Sequence, residues 1–168
     1  SGVVWQGLNF ANPMNMGPAW TVDGKPLPFL TPDGRKYRPG SAMKPMFDAA
    51  LTGEVRRDVD IPVEQIKAPI LLISGKEDAL WPSWDMGEAI VQRLAAANFA
   101  HGVQHLGYDG AGHMVFMGNP DSAAAQSMSK APPNPMMGGT SDAALAAWKQ
   151  NWPLTLAFFD KALKGNSQ

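Results

Sequence analysis

The stretch YDGAGHMVF, residues 108–116, sets His113 directly behind a Gly-Ala-Gly turn, and GKEDALWPS, residues 75–83, carries Asp78 just after an apolar run. A carboxylate that accepts a hydrogen bond from imidazole Nδ1–H fixes the ring's tautomer. Nε2 is then free to take a proton from a nucleophile and return it later. Asp78 and His113 stand 35 positions apart, so only the fold could join them. Each also has a plainer reading, His113 as a solvent-exposed loop histidine and Asp78 as a turn carboxylate near a helix start. Glu77 competes for the role of acid. Trp81, followed by Pro82, is the aromatic nearest the acid and the best candidate to line a substrate cleft. Trp5, Trp20 and Trp84 are further candidates for its walls, although a buried tryptophan is more often core than ligand platform.

A nucleophile should complete the set, ideally a serine in a G-x-S-x-G elbow between a strand and a helix. None of Ser41 in PGSAM, Ser74 in LISGK or Ser141 in GGTSDA has that surrounding, and there is no cysteine to offer a thiol. The elbow is therefore expected upstream of Ser1. His101 and His105 have no Cys, Asp or Glu at metal-ligand spacing, so they are expected to be structural and no metal site is predicted. Gly17, Gly24, Gly34 and Gly40 form neither a dinucleotide fingerprint nor a P-loop, and no cofactor is implied.

The elements that would position the pair can be read from periodicity. The run Ile70–Leu71–Leu72–Ile73, bounded by Pro69 and Gly75, fits a strand of a parallel sheet buried on both faces. Ser83 is placed to cap a helix reaching Ala97, with Met86, Ile90, Val91 and Leu94 as its apolar stripe. A second strand follows at about Val103 to Leu106. Residues 61–108 thus read as a βαβ unit. In open α/β sheets ligands bind outside the carboxyl ends of the strands, where both loops would emerge.

Around this unit, Gly2 to Leu8 read as a short strand. Residues 12–39 form an irregular excursion with VDGK and PDGR turn signals, which predicts a small hairpin. Ser41 is expected to cap a helix reaching Leu51, stopped by Gly53 and packed through its methionines. The tail from Ala143 to Leu163 repeats Leu145, Trp148, Trp152, Leu156, Phe159 and Leu163 at helical spacing, and Pro153 is expected to kink or divide that helix.

The whole sequence bounds the function. With 168 residues it is about one domain long, and 14 basic against 15 acidic residues leave no electrostatic footprint for nucleic acid or an anionic membrane surface. No apolar run approaches the roughly 20 residues needed to span a bilayer. The compartment stays open, with the cytoplasm favoured. SGVVWQGL opens at once on an apolar, β-branched run, as though entering an internal strand.

At this point IPVEQIKAPILLISGKEDALWPSWDMGEAIVQRL, HGVQHLGYDGAGHMV and GGTSDAALAAWKQNWPLTLAFF together resemble the C-terminal region of the acyl-CoA thioesterase and bile acid-CoA:amino acid N-acyltransferase family. The resemblance covers about residues 61–163 and the opening SGVVWQGL. It implies the C-terminal half of an α/β-hydrolase fold: a mostly parallel sheet flanked by helices, with an irregular excursion at about residues 10–60. It puts the family's acid on Asp78 and its histidine on His113, beside a Ser or Cys nucleophile on a missing N-terminal half, about 20 residues before Ser1. The implied substrate is an acyl-CoA thioester, with water or an amino-acid amine as acceptor. The alternatives are a dienelactone-hydrolase-like ester hydrolase and, from another class, a non-catalytic interaction module. A half sheet would expose an edge, which predicts packing against the missing half or self-association.

Overall fold

The computed structural model describes residues 2–7, 17–52, 57–116, 118–128 and 130–164. In chain order these form strands β1 (Thr21–Val22) and β2 (Lys25–Pro26), helix α1 (Lys44–Leu51), strand β3 (Ile70–Gly75), helix α2 (Ser83–Ala96), strand β4 (Val103–Tyr108), short helix α3 (Ala123–Met128) and long helix α4 (Ser141–Lys164). The architecture is α/β, built on a small parallel sheet.

β3 and β4 pair in parallel, from Ile70 opposite Val103 to Gly75 opposite Tyr108. Both strands therefore end at the same edge, as their apolar patterns and the intervening helix require. Side chains alternate across the sheet, and the alternation sorts the helices. Ser74, His105 and Gly107 turn toward α2, while Ile73 and Tyr108 pack with Ala143 and Ala147 of α4. The expectation that Ile70–Ile73 would be buried on both faces is not met. All four are half-buried, because among the described residues β3 has a strand neighbour on one edge only.

In the excursion, VDGK forms the predicted hairpin. Asp23 and Gly24 both take positive φ, 49° and 74°, as the tight turn between β1 and β2 requires. PDGR closes a 3-10 turn, Gly34–Lys36, with the Asp33 side chain accepting from the Arg35 amide. Gly2 to Gly7, the described part of the predicted first strand, make isolated bridges: Val3 with Asp60, Trp5 with Leu30 and Gln6 with Pro18. Leu8 and Gly53 lie outside the described residues.

Neither predicted serine cap forms. Ser41 Oγ donates to the Arg38 carbonyl at 2.7 Å, and α1 starts later, at Lys44, with a proline in its first turn. Ser83 is the first residue of α2 rather than its cap, and its hydroxyl points at the Gly75 carbonyl, 3.5 Å away. α1 buries Met46 and Phe47, so an aromatic ring as well as a methionine anchors it. α4 runs undivided through Pro153. Its buried face is Ala144, Ala147, Trp148, Asn151 and Thr155; of the predicted stripe Trp148 is buried, Leu145 and Trp152 are half-buried, and Leu156, Phe159 and Leu163 are exposed. Among the described residues no helix is long and apolar enough to cross a membrane.

Candidate active site

Asp78 follows β3 by three residues and His113 follows β4 by five, and the shared edge brings them together. His113 Nδ1 lies 3.1 Å from Asp78 Oδ2. The other carboxylate oxygen, Oδ1, accepts from the backbone amides of Leu80 at 2.9 Å and Trp81 at 3.2 Å. These two bonds hold the carboxylate in place. Asp78 is almost wholly buried, whereas the His113 side chain keeps 23% of its surface exposed. A carboxylate only accepts, so Nδ1 carries the proton and the neutral ring presents a lone pair at Nε2. That nitrogen makes no hydrogen bond among the described residues. Glu77, the rival acid, is exposed and contributes its backbone amide, which donates to the Ala111 carbonyl at 3.1 Å.

Three loops interlock to hold the pair. Gly75 lies so close to the histidine loop that a β-carbon there would collide with the carbonyl oxygens of Ala111 and Gly112. The third loop, the Pro/Met/Gly-rich stretch at residues 131–139, supplies the Met137 carbonyl. It accepts from the His113 amide at 2.8 Å and from the Ala79 amide at 3.4 Å. Gly138 and Gly139, at φ 70° and 59°, thread between the other two loops. Their adjacency was the available sign that this stretch makes a close backbone approach.

α4 fixes the chain just beyond the histidine. Trp148 Nε1 donates to the Met114 carbonyl at 2.6 Å, and Asn151 Nδ2 donates to the Val115 carbonyl at 2.9 Å. Helical periodicity marked Trp148 only as an apolar position, and Asn151 left no sign in the sequence.

Trp81 lies against the pair, its ring edge-to-face with His113 at 5.0 Å between centroids. Phe47 packs edge-on to Trp81 at 5.9 Å, and Trp5 packs on Phe47 at 4.8 Å. The excursion thus reaches the site through an aromatic row, and the Met43 and Lys44 amides both donate to the Ala79 carbonyl at 2.9 Å. Trp20 is 66% exposed and Trp84 stacks on His105, so of the four tryptophans only Trp81 touches His113 among the described residues. His101 meets Phe99 edge-on. Among the described residues no three His, Cys, Asp or Glu side chains converge as a metal site.

Residues 26–165 match the family model described as BAAT / Acyl-CoA thioester hydrolase C terminal. The match spans most of the chain, which belongs to this family. A search of curated proteins finds no match.

Proposed function

We propose that the chain carries the acid and the base of a hydrolase-like α/β enzyme that cleaves acyl-CoA thioesters, with Asp78 orienting His113. The observation that carries the reading is the Asp78–His113 hydrogen bond, which leaves Nε2 of a partly exposed side chain without a partner among the described residues. Family membership supplies the substrate class.

In this scheme His113 Nε2 takes the proton of a serine hydroxyl or cysteine thiol as it attacks the thioester carbonyl. The tetrahedral adduct collapses, the carbon–sulfur bond breaks, and the same proton passes to the departing CoA sulfur. Nε2 then deprotonates the acceptor as it attacks the acyl-enzyme, the acyl bond to the serine or cysteine breaks, and the proton returns to that side chain as the product leaves. Water is the acceptor in hydrolysis. Asp78 stabilises the imidazolium formed in each half. No serine of the chain stands in a G-x-S-x-G elbow and the sequence holds no cysteine, so we place the nucleophile outside this chain.

The test is release of CoA thiol from an acyl-CoA by the protein in which this chain meets its nucleophile. His113→Ala and Asp78→Asn are each expected to lower kcat about 10⁴-fold, and the 168-residue chain alone is expected to stay at background. Unchanged kcat in His113→Ala would remove the reading. Saturable, His113-dependent turnover by the chain alone would instead place the nucleophile within it.

A further inference from the structure

A second histidine is hydrogen-bonded at both ring nitrogens. His105 Nδ1 lies 2.8 Å from Glu88 Oε1, and Nε2 lies 3.0 Å from Ser74 Oγ. The groups are those of a serine–histidine–carboxylate array, but their surroundings rule out a nucleophile. The His105 side chain and Ser74 are each only 4% exposed. The serine hydroxyl also lies 3.2 Å from the Ser83 carbonyl, so it is held between protein groups and withheld from any substrate.

The surroundings are built for this ring. Trp84 stacks on His105 with centroids 4.4 Å apart and planes 23° from parallel. Lys76 Nζ sits over the Trp84 ring, 5.1 Å from its centroid, and pairs with Asp109 at 2.8 Å. A β-carbon at Gly87 would collide with the His105 imidazole, and one at Gly107 would collide with the Trp84 indole. Glycine is a poor helix former, and at Gly87 its missing side chain makes room for His105.

The connections of this cluster are specific. Ser74 and Lys76 flank Gly75, where the acid loop leaves β3, while Ser83 and Trp84 stand where that loop enters α2. Asp109 opens the histidine loop. Because Gly75 abuts the Ala111 and Gly112 carbonyls, a displacement at the end of β3 is passed to the residue before His113. We propose that His105 is a positioning residue, which through Ser74 and Glu88 braces both ends of the acid loop and so sets the Asp78–His113 separation. The proposal rests on the catalytic reading of that pair.

With only three histidines in the chain, the tautomer of each neutral ring can be read from its ¹⁵N shifts through the non-exchanging ring protons. In the unaltered chain His113 is expected as the Nδ1–H tautomer. Ser74→Ala should raise the Nε2–H population of His113 roughly fivefold, because loss of the brace weakens the Asp78 bond. Glu88→Gln keeps an acceptor oxygen at a half-exposed position and so guards against loss of folding. It should shift the population the same way by less. Val63→Ala, a core truncation outside the cluster, should leave it unchanged. An unchanged His113 tautomer in both Ser74→Ala and Glu88→Gln, or an equal shift in Val63→Ala, overturns the brace. The brace fails alone if His113→Ala abolishes thioester cleavage while neither Ser74→Ala nor Glu88→Gln moves the tautomer. The catalytic reading fails alone if the tautomer shifts but cleavage does not depend on His113.

Discussion

Asp78 answers three donors with two oxygens, and the consequences of altering it follow from that accounting. Asp78→Ala would leave the Leu80 and Trp81 amides and His113 Nδ1–H without their acceptor. At this buried position the expected loss is about 1–3 kcal/mol, measured by urea unfolding. Asp78→Asn can keep an oxygen for the two amides, but its NH₂ then faces Nδ1. His113 should become the Nε2–H tautomer, visible in its ¹⁵N shifts, and lose its ability to accept a proton at Nε2. Tyr108 sets a different dependence. Burial raises its phenol above the ordinary value, so the folded chain favours the neutral form. The stabilisation is complete below the unfolded value of about 10 and is lost as pH rises through the higher folded one. Tyr108→Phe should flatten this alkaline fall in the urea midpoint. At this scale the sequence was partly legible. Asp78 and His113 could be singled out because each follows a recognisable strand by a few residues. Ser74, Glu88 and His105 could not, because they lie on a strand, a helix and another strand, and no spacing rule links such positions.

The elements reach the site through contacts between backbones, where small changes have large effects. Gly75→Ala would drive a methyl group into the Ala111 and Gly112 carbonyls. The expected loss is about 3 kcal/mol or more, together with a displaced histidine loop. Asn151→Ala should cost less. It frees the buried Val115 carbonyl, but it also removes Asn151 Oδ1, which has no donor among the described residues. The net cost should be near 1 kcal/mol, read from the urea midpoint at constant slope. Strand and helix identities were legible here because apolar period and length distinguish β3, α2 and β4. Helix starts were not. Ser41 and Ser83 are good caps by residue type, yet the Ser41 hydroxyl is taken by the Arg38 carbonyl within its own turn and the Ser83 hydroxyl by the Gly75 carbonyl at the end of β3.

Across the whole molecule, apolar residues are unevenly covered. Leu154, Leu156 and Phe159 are each 45–51% exposed on α4, and Leu163 is 80% exposed. Side chains of this kind on one helix favour association. Sedimentation of the isolated chain should show a concentration-dependent mass, and Leu156→Glu with Phe159→Glu should shift it toward the monomer. A concentration-independent monomer before substitution would contradict this. The predicted stripe on α4 is buried at Trp148 and exposed from Leu156 onward, since periodicity reports which residues share a side and not what lies opposite them. The sequence by itself determined the α/β class, the parallel unit and the two loops that carry Asp78 and His113, because these follow from apolar period, chain order and residue chemistry. The tertiary structure alone decided that Asp78 rather than Glu77 meets the ring, that Met137 and Asn151 hold the histidine loop, and that His105 fills a slot cleared by Gly87. Those outcomes depend on distances between segments far apart in the chain, set by packing and backbone hydrogen bonds that no local pattern encodes.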